Sequence, residues 1–89
     1  NTIMTHALKT WPEYFESIEK GDKLFELRKD DRPFKTGDNV LLQEYDPKTE
    51  TYTGKELKFN ICFILRDLPK NFGLKSGFCI LGLKEKEDY

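Results

Sequence analysis

The chain is poor in the residues from which metal centres and nucleophilic triads are assembled: one histidine, two cysteines, one tryptophan and one methionine among 89 residues. Two cysteines and one histidine do not furnish a four-ligand structural zinc site without carboxylates, so neither a metal nor a cofactor is expected. Long apolar runs, a signal peptide and a lipidation motif are also missing, which argues against a membrane partner and makes a reducing, cytoplasmic setting the expectation. Met4 reads as a native start preceded by an appended Asn1-Thr2-Ile3. A strong charge of one sign is the next absence. Lys and Arg number 15 against 16 Asp and Glu, a net charge of -1, and such a chain does not hold nucleic acid by bulk positive charge. Repeats, low-complexity segments and linkers are lacking too, so residues 4–84 read as one domain with a modest core and room for one site.

What is present is charge and aromatic surface in a soluble, globular proportion: 35% charged, 37% hydrophobic and 13% aromatic. The charge is unevenly placed. Lys20, Lys23, Arg28, Lys29, Arg32 and Lys35 face only Asp22, Glu26, Asp30 and Asp31 in the same window, which is therefore +2 while the remainder is -3. A locally basic patch on a mildly acidic body suits a small or single-stranded phosphate-bearing ligand better than a long duplex. Cys62 and Cys79 each sit in an apolar run, Asn60-Ile61-Cys62-Phe63-Ile64 and Phe78-Cys79-Ile80-Leu81, where a buried thiol packs as a small hydrophobe; both are expected in the core.

Thr10-Trp11-Pro12-Glu13 predicts a helix start, with Thr10 as N-cap, Glu13 closing a capping box and Pro12 tolerated in the first turn. Trp11, Tyr14, Phe15 and Ile18 then form a stripe at i, i+3, i+4 and i+7, expected to pack into the core, and the helix should run to about Lys20. Gly21 supplies the positive φ of a helix exit. Residues 24–29 read as a strand with Phe25 and Leu27 on one face and Leu24, Glu26 and Arg28 on the other. Asn39 to Tyr45 predicts a second strand, Thr53-Gly54 a hairpin tip, and the alternation of Leu57, Phe59, Ile61, Phe63 and Leu65 one long strand burying that face. Gly77 to Leu83 closes the set and Lys84 to Tyr89 reads as a solvated tail. One helix with four or so hairpin-connected strands predicts an α+β, mainly β architecture: a small antiparallel sheet curled into a barrel and capped by the helix. Tyr45 and Tyr52 are expected to pack across strands.

The densest chemistry lies in Gly21-x-Lys23-x-x-Glu26-x-Arg28, where a lysine, a carboxylate and a guanidinium fall within one helix–strand junction. They either pair with one another or point at a ligand. Lys29-Asp30-Asp31-Arg32-Pro33 follows as a charged loop, with Lys29, Asp31 and Arg32 as a rim. His6, ahead of the helix, is a candidate for proton transfer or a base contact.

The same motif, joined to Phe34-Lys35-Thr36-Gly37-Asp38, resembles the signature of ASCH domains of the PUA-like superfamily. His6-Ala7-Leu8-Lys9, Pro12-Glu13-Tyr14-Phe15, Phe25-Glu26-Leu27-Arg28-Lys29, Asp31-Arg32, Tyr52-Thr53-Gly54 and Ile80-Leu81-Gly82 resemble more closely a small bacterial and phage branch of that superfamily with no assigned function. The likeness runs from Met4 to Leu83. It implies a PUA-like β-barrel with an N-terminal helix, a cleft lined by the motif, and an association with RNA binding, modification or regulation. One ASCH branch is similar to amidohydrolases of acylated cytidine, in which a lysine matching Lys23 works with a threonine nucleophile at the position of Glu26. A carboxylate does not replace that hydroxyl, so the mechanism is not carried over.

The expectation is therefore an RNA- or nucleotide-binding module, with Lys23, Arg28, Lys29 and Arg32 on phosphate, Glu26 and His6 on a base, and Asp31 on the rim. The alternatives are a small hydrolase of a modified nucleoside or RNA, with Lys23, Glu26 and His6 as catalytic candidates, and a phage-type protein-interaction module.

Overall fold

The computed structural model describes residues 2–85. Its elements in chain order are β1 (Thr5–Thr10), α1 (Pro12–Glu19), β2 (Phe25–Lys29), β3 (Asn39–Asp46), β4 (Thr51–Leu65), a single 3-10 turn at Lys70–Phe72, and β5 (Phe78–Glu85). The five strands form one sheet in the order β1-β3-β4-β5-β2, curled into a half-barrel. The mainly β character and the lone helix agree with the sequence, but the sheet is mixed. β1 and β3 run parallel because α1 and β2 intervene as a crossover, whereas the other three pairings are antiparallel.

β1 is the element that hydropathy hides. His6, Leu8 and Thr10 face inward and Thr5, Ala7 and Lys9 outward, so two of three buried positions are polar and the apolar alternation of a half-buried strand never shows. This strand takes Thr10 away from its expected capping role. Thr10 is its last, buried residue, and Trp11 stands at the N-cap in extended backbone without a side-chain bond.

The aromatic stripe of α1 divides. Phe15 and Ile18 are buried and plug the half-barrel, each contributing on the order of 2 kcal/mol by the apolar area it hides. Trp11 and Tyr14, expected inside, are about half exposed and lie nearly parallel, with ring centroids 6.4 Å apart. After Lys20 the chain reverses at Gly21, whose φ of 85° is open to glycine without strain, and the amides of Gly21, Asp22 and Lys23 return to carbonyls of the last turn.

β4 carries two irregularities that the alternation of its sequence does not announce. The hairpin turns at residues 47–50, before the expected tip. Gly54, with φ 95°, instead lies within β4 where the register against β3 shifts between Gln43 and Tyr45. Against β5, Ile61 pairs with Leu83 but Phe63 pairs with Gly82, so Cys62 is an extra residue in a bulge. The bulge inverts the faces beyond it. Cys62 and Phe63 are exposed, contrary to their expected burial; Ile64, like Leu57 before the bulge, is partly buried against the core, and Leu65 is partly covered. Cys79 is fully buried in β5, and burial, reinforced by Asp30 and partly offset by Arg66, pushes its thiol pKa up. β5 continues through Lys84 and Glu85, which the sequence assigned to the tail; the rest of that stretch lies outside the described residues. Tyr45 and Tyr52 meet edge to face across β3 and β4, with centroids 5.1 Å apart.

Candidate functional site

The two ends of the sheet, β1 and β2, approach each other without sharing a ladder, and the motif fills the seam between them. Because β2 turns Glu26 inward, a carboxylate sits in the interior with 5% of its surface exposed, while Phe25 and Leu27 face out at about half exposure. Lys23 Nζ lies 2.7 Å from Glu26 Oε1 and donates to the Phe25 carbonyl at 2.8 Å. The same ammonium stands 4.8 Å from the centroid of the Phe25 ring and 5.5 Å from that of Tyr14, within cation–π reach of both. On the other side of Glu26, Arg28 Nη1 is 3.6 Å from Oε2 and donates to the Lys9 carbonyl at 2.9 Å. A buried carboxylate is thus held between two partly exposed cations, the arrangement that makes burying its charge tolerable.

This group opens onto a cavity of about 500 Å³ lined by Lys9, Thr10, Trp11, Tyr14, Phe25 and Leu27 together with Lys23, Glu26 and Arg28. Thr10 Oγ1 in that lining is buried and has no hydrogen-bond partner. Lys9 also places its ammonium 4.5 Å from the Tyr45 ring centroid. A second cavity of about 380 Å³ lies further along the seam, where Leu8, Leu27, Phe34 and Phe78 are joined by Arg28, Lys29, Asp31 and Arg32. Arg28 and Leu27 line both. Arg32 Nη1 donates to the Ala7 carbonyl at 3.1 Å, two residues before the carbonyl that Arg28 takes on β1.

The structure therefore brings Lys23, Glu26 and Arg28 together and places Lys29, Asp31 and Arg32 beside them. It does not bring His6. That side chain is buried on β1, where Nε2 lies 2.9 Å from Asp38 Oδ2 and the ring meets Phe34 edge-on at 4.7 Å, and it lines neither cavity. An ionised carboxylate only accepts, so His6 Nε2–H donates to it. Asp38 accepts from the backbone amides of Met4 and Lys35 as well. Burial alone would raise the Asp38 pKa, but the His6 bond and the two amides outweigh it and hold the carboxyl below its ordinary value. This histidine is a fastener between β1 and the start of β3.

Sequence reasoning did not anticipate the walls of the cleft. Trp11 and Tyr14 carry the spacing of a core stripe, and only the narrowness of an eight-residue helix, whose buried side is filled by Phe15 and Ile18, hints that they lie outside it. Lys9 and Thr10 enter through the unrecognised β1. Among the described residues no group of three or more His, Cys, Asp and Glu side chains is placed to hold a metal ion, and no helix is long and apolar enough to cross a membrane.

Fold and site together define a small β-rich domain with a charged, aromatic-walled cleft at the junction of β1, α1 and β2. The chain belongs to the family described as a domain of unknown function, DUF3850, whose model matches residues 5–83 and so takes in every element that builds the cleft. No curated protein is significantly similar to it.

Proposed function

We propose that the cleft between β1 and β2 recognises RNA or a nucleotide, taking a base against Trp11 and Tyr14 and a phosphate near Lys23 and Arg28. One observation carries the reading: a buried, cation-held carboxylate opens into a cavity walled by half-exposed aromatic rings. Rings left half exposed beside a buried, cation-held carboxylate offer faces on which a base can stack. The cavity, at about 500 Å³, lies within the ordinary range for small-ligand sites. Glu26, in the lining of that cavity, supplies acceptors for the exocyclic amines of a base. The resemblance to ASCH and PUA-like domains, a superfamily associated with RNA, points the same way.

Recognition is favoured over hydrolysis by how Glu26 is engaged. One oxygen is bonded to Lys23 and the other lies beside Arg28, so the carboxylate is tied to cations rather than free to move a proton, and His6 is committed to Asp38. Trp11, the only tryptophan, makes the test direct. Ribonucleotides and short single-stranded RNA should quench its fluorescence saturably, and Trp11→Phe should silence that signal while calorimetry still detects binding. Loss of the ring in Trp11→Ala should cost about 1–3 kcal/mol of affinity. Absence of binding, or affinity indifferent to a Lys23→Ala/Arg28→Ala double substitution, refutes the reading.

A further inference from the structure

The free edges of β1 and β2 carry a further step, which rests on the nucleotide reading above. Asn39 N donates to the Met4 carbonyl, so by backbone alternation Met4, His6 and Leu8 direct their amides toward β3 and Ala7 and Lys9 direct theirs into the seam. On β2, Leu24 accepts from Leu83 and Asp30 donates to Gly77, so the groups facing the seam are those of Phe25, Leu27 and Lys29. Cations cap three of these seam-facing carbonyls: Arg28 on Lys9, Arg32 on Ala7 and Lys23 on Phe25. Three of these five carbonyls are taken internally and those of Leu27 and Lys29 are left, so the seam presents more amide donors than acceptors, together with positive charge.

A peptide strand adding to such an edge needs acceptors as well as donors, and charged side chains across an edge discourage it. An acceptor-rich, negatively charged chain has the complementary pattern. The second cavity supplies the charge for it, with three cations, Arg28, Lys29 and Arg32, against the single carboxylate of Asp31. The carbonyls capped by Arg28 and Arg32 are two residues apart, about 7 Å along a strand, so the guanidinia mark out successive steps along the groove.

We propose that the seam is a two-subsite groove for single-stranded RNA: one base in the aromatic cavity, the linking phosphodiester on Arg28, and the neighbouring nucleotide's phosphate over Lys29 and Arg32. Arg28, which lines both cavities, is the divider. The preferred ligand is then at least a dinucleotide.

The experiment is a calorimetric titration of the protein with the four ribonucleoside 5′-monophosphates, the corresponding 5′-phosphorylated dinucleotides, a ten-nucleotide single-stranded RNA and an acidic decapeptide, at two salt concentrations. The best dinucleotide should bind at least about tenfold tighter than its mononucleotide. In Arg32→Ala and in Lys29→Ala that ratio should fall toward one, and the slope of log affinity against log salt should shrink by about 0.7 for each phosphate no longer neutralised. Lys29 is exposed and makes no bond within the domain among the described residues, so its variant tests the proposal even if Arg32→Ala, which gives up the bond to β1, fails to fold. Equal affinity for mononucleotide and dinucleotide overturns the second subsite and leaves the first standing. No binding by any nucleotide, or binding of the peptide in their place, overturns both.

Discussion

Two carboxylates are buried in this half-barrel, and their partners differ. Asp38 accepts from His6 and from two backbone amides, all within the fold, whereas Glu26 lies between Lys23 and Arg28 at the floor of a cavity. The Asp38 pKa is held down in the folded protein, so the group contributes stability that is fully present above its unfolded value and lost as pH falls through the folded one. Acid titration of unfolding should therefore show stability declining below about pH 4, the range of an unperturbed aspartate. In Asp38→Ala that part of the decline should vanish, with stability at neutral pH lower by on the order of 2 kcal/mol because the buried His6 and two partly buried amides lose their acceptor. An unaltered acid limb in the variant would show that Asp38 is not the group responsible. The local character of the Lys23–Glu26–Arg28 motif is why it was legible: its members are separated by three and two residues and need only a helix exit and one strand to meet. His6 was not legible in the same way, because its partner lies 32 residues away on another strand.

At the scale of elements, what escaped the sequence is what depends on pairing. The period-two pattern of β4 is genuine up to Ile61, but the extra residue at Cys62 exists only relative to β5, and it turns Phe63 from an expected core residue into one 61% exposed. β1 is hidden for a different reason: its inward His6 and Thr10 are polar, so its inward face carries no hydrophobic period. The pattern of α1 is visible in its sequence, but its N-cap falls one residue later than Thr10 because β1 consumes that threonine. The two phenylalanines separate these accounts. Phe15→Ala should cost about 3–5 kcal/mol by opening a cavity under the helix, while Phe63→Ala should cost less than about 1 kcal/mol, as measured by urea unfolding. Comparable losses at both positions would mean that β4 keeps its simple alternation and that the bulge is absent.

The whole molecule is a sheet that curls far enough to bring its first and last strands together but closes the gap with side chains. Arg28 and Arg32 from β2 and the loop after it reach the carbonyls of β1, α1 plugs the interior with Phe15 and Ile18, and the unsealed seam becomes the cleft. A continuous ladder between β1 and β2 would satisfy the same carbonyls and leave no cavity, which ties the function to the incomplete closure of the fold. Amide chemical-shift mapping during titration with a 5′-phosphorylated dinucleotide tests this most directly, because it reports where ligand meets the chain. The predicted result is saturable shifts concentrated in residues 7–14 and 23–32, on both sides of the seam, with the outer faces of β3 and β4 unmoved. Shifts confined to those outer faces, or none at saturating ligand, would contradict the account.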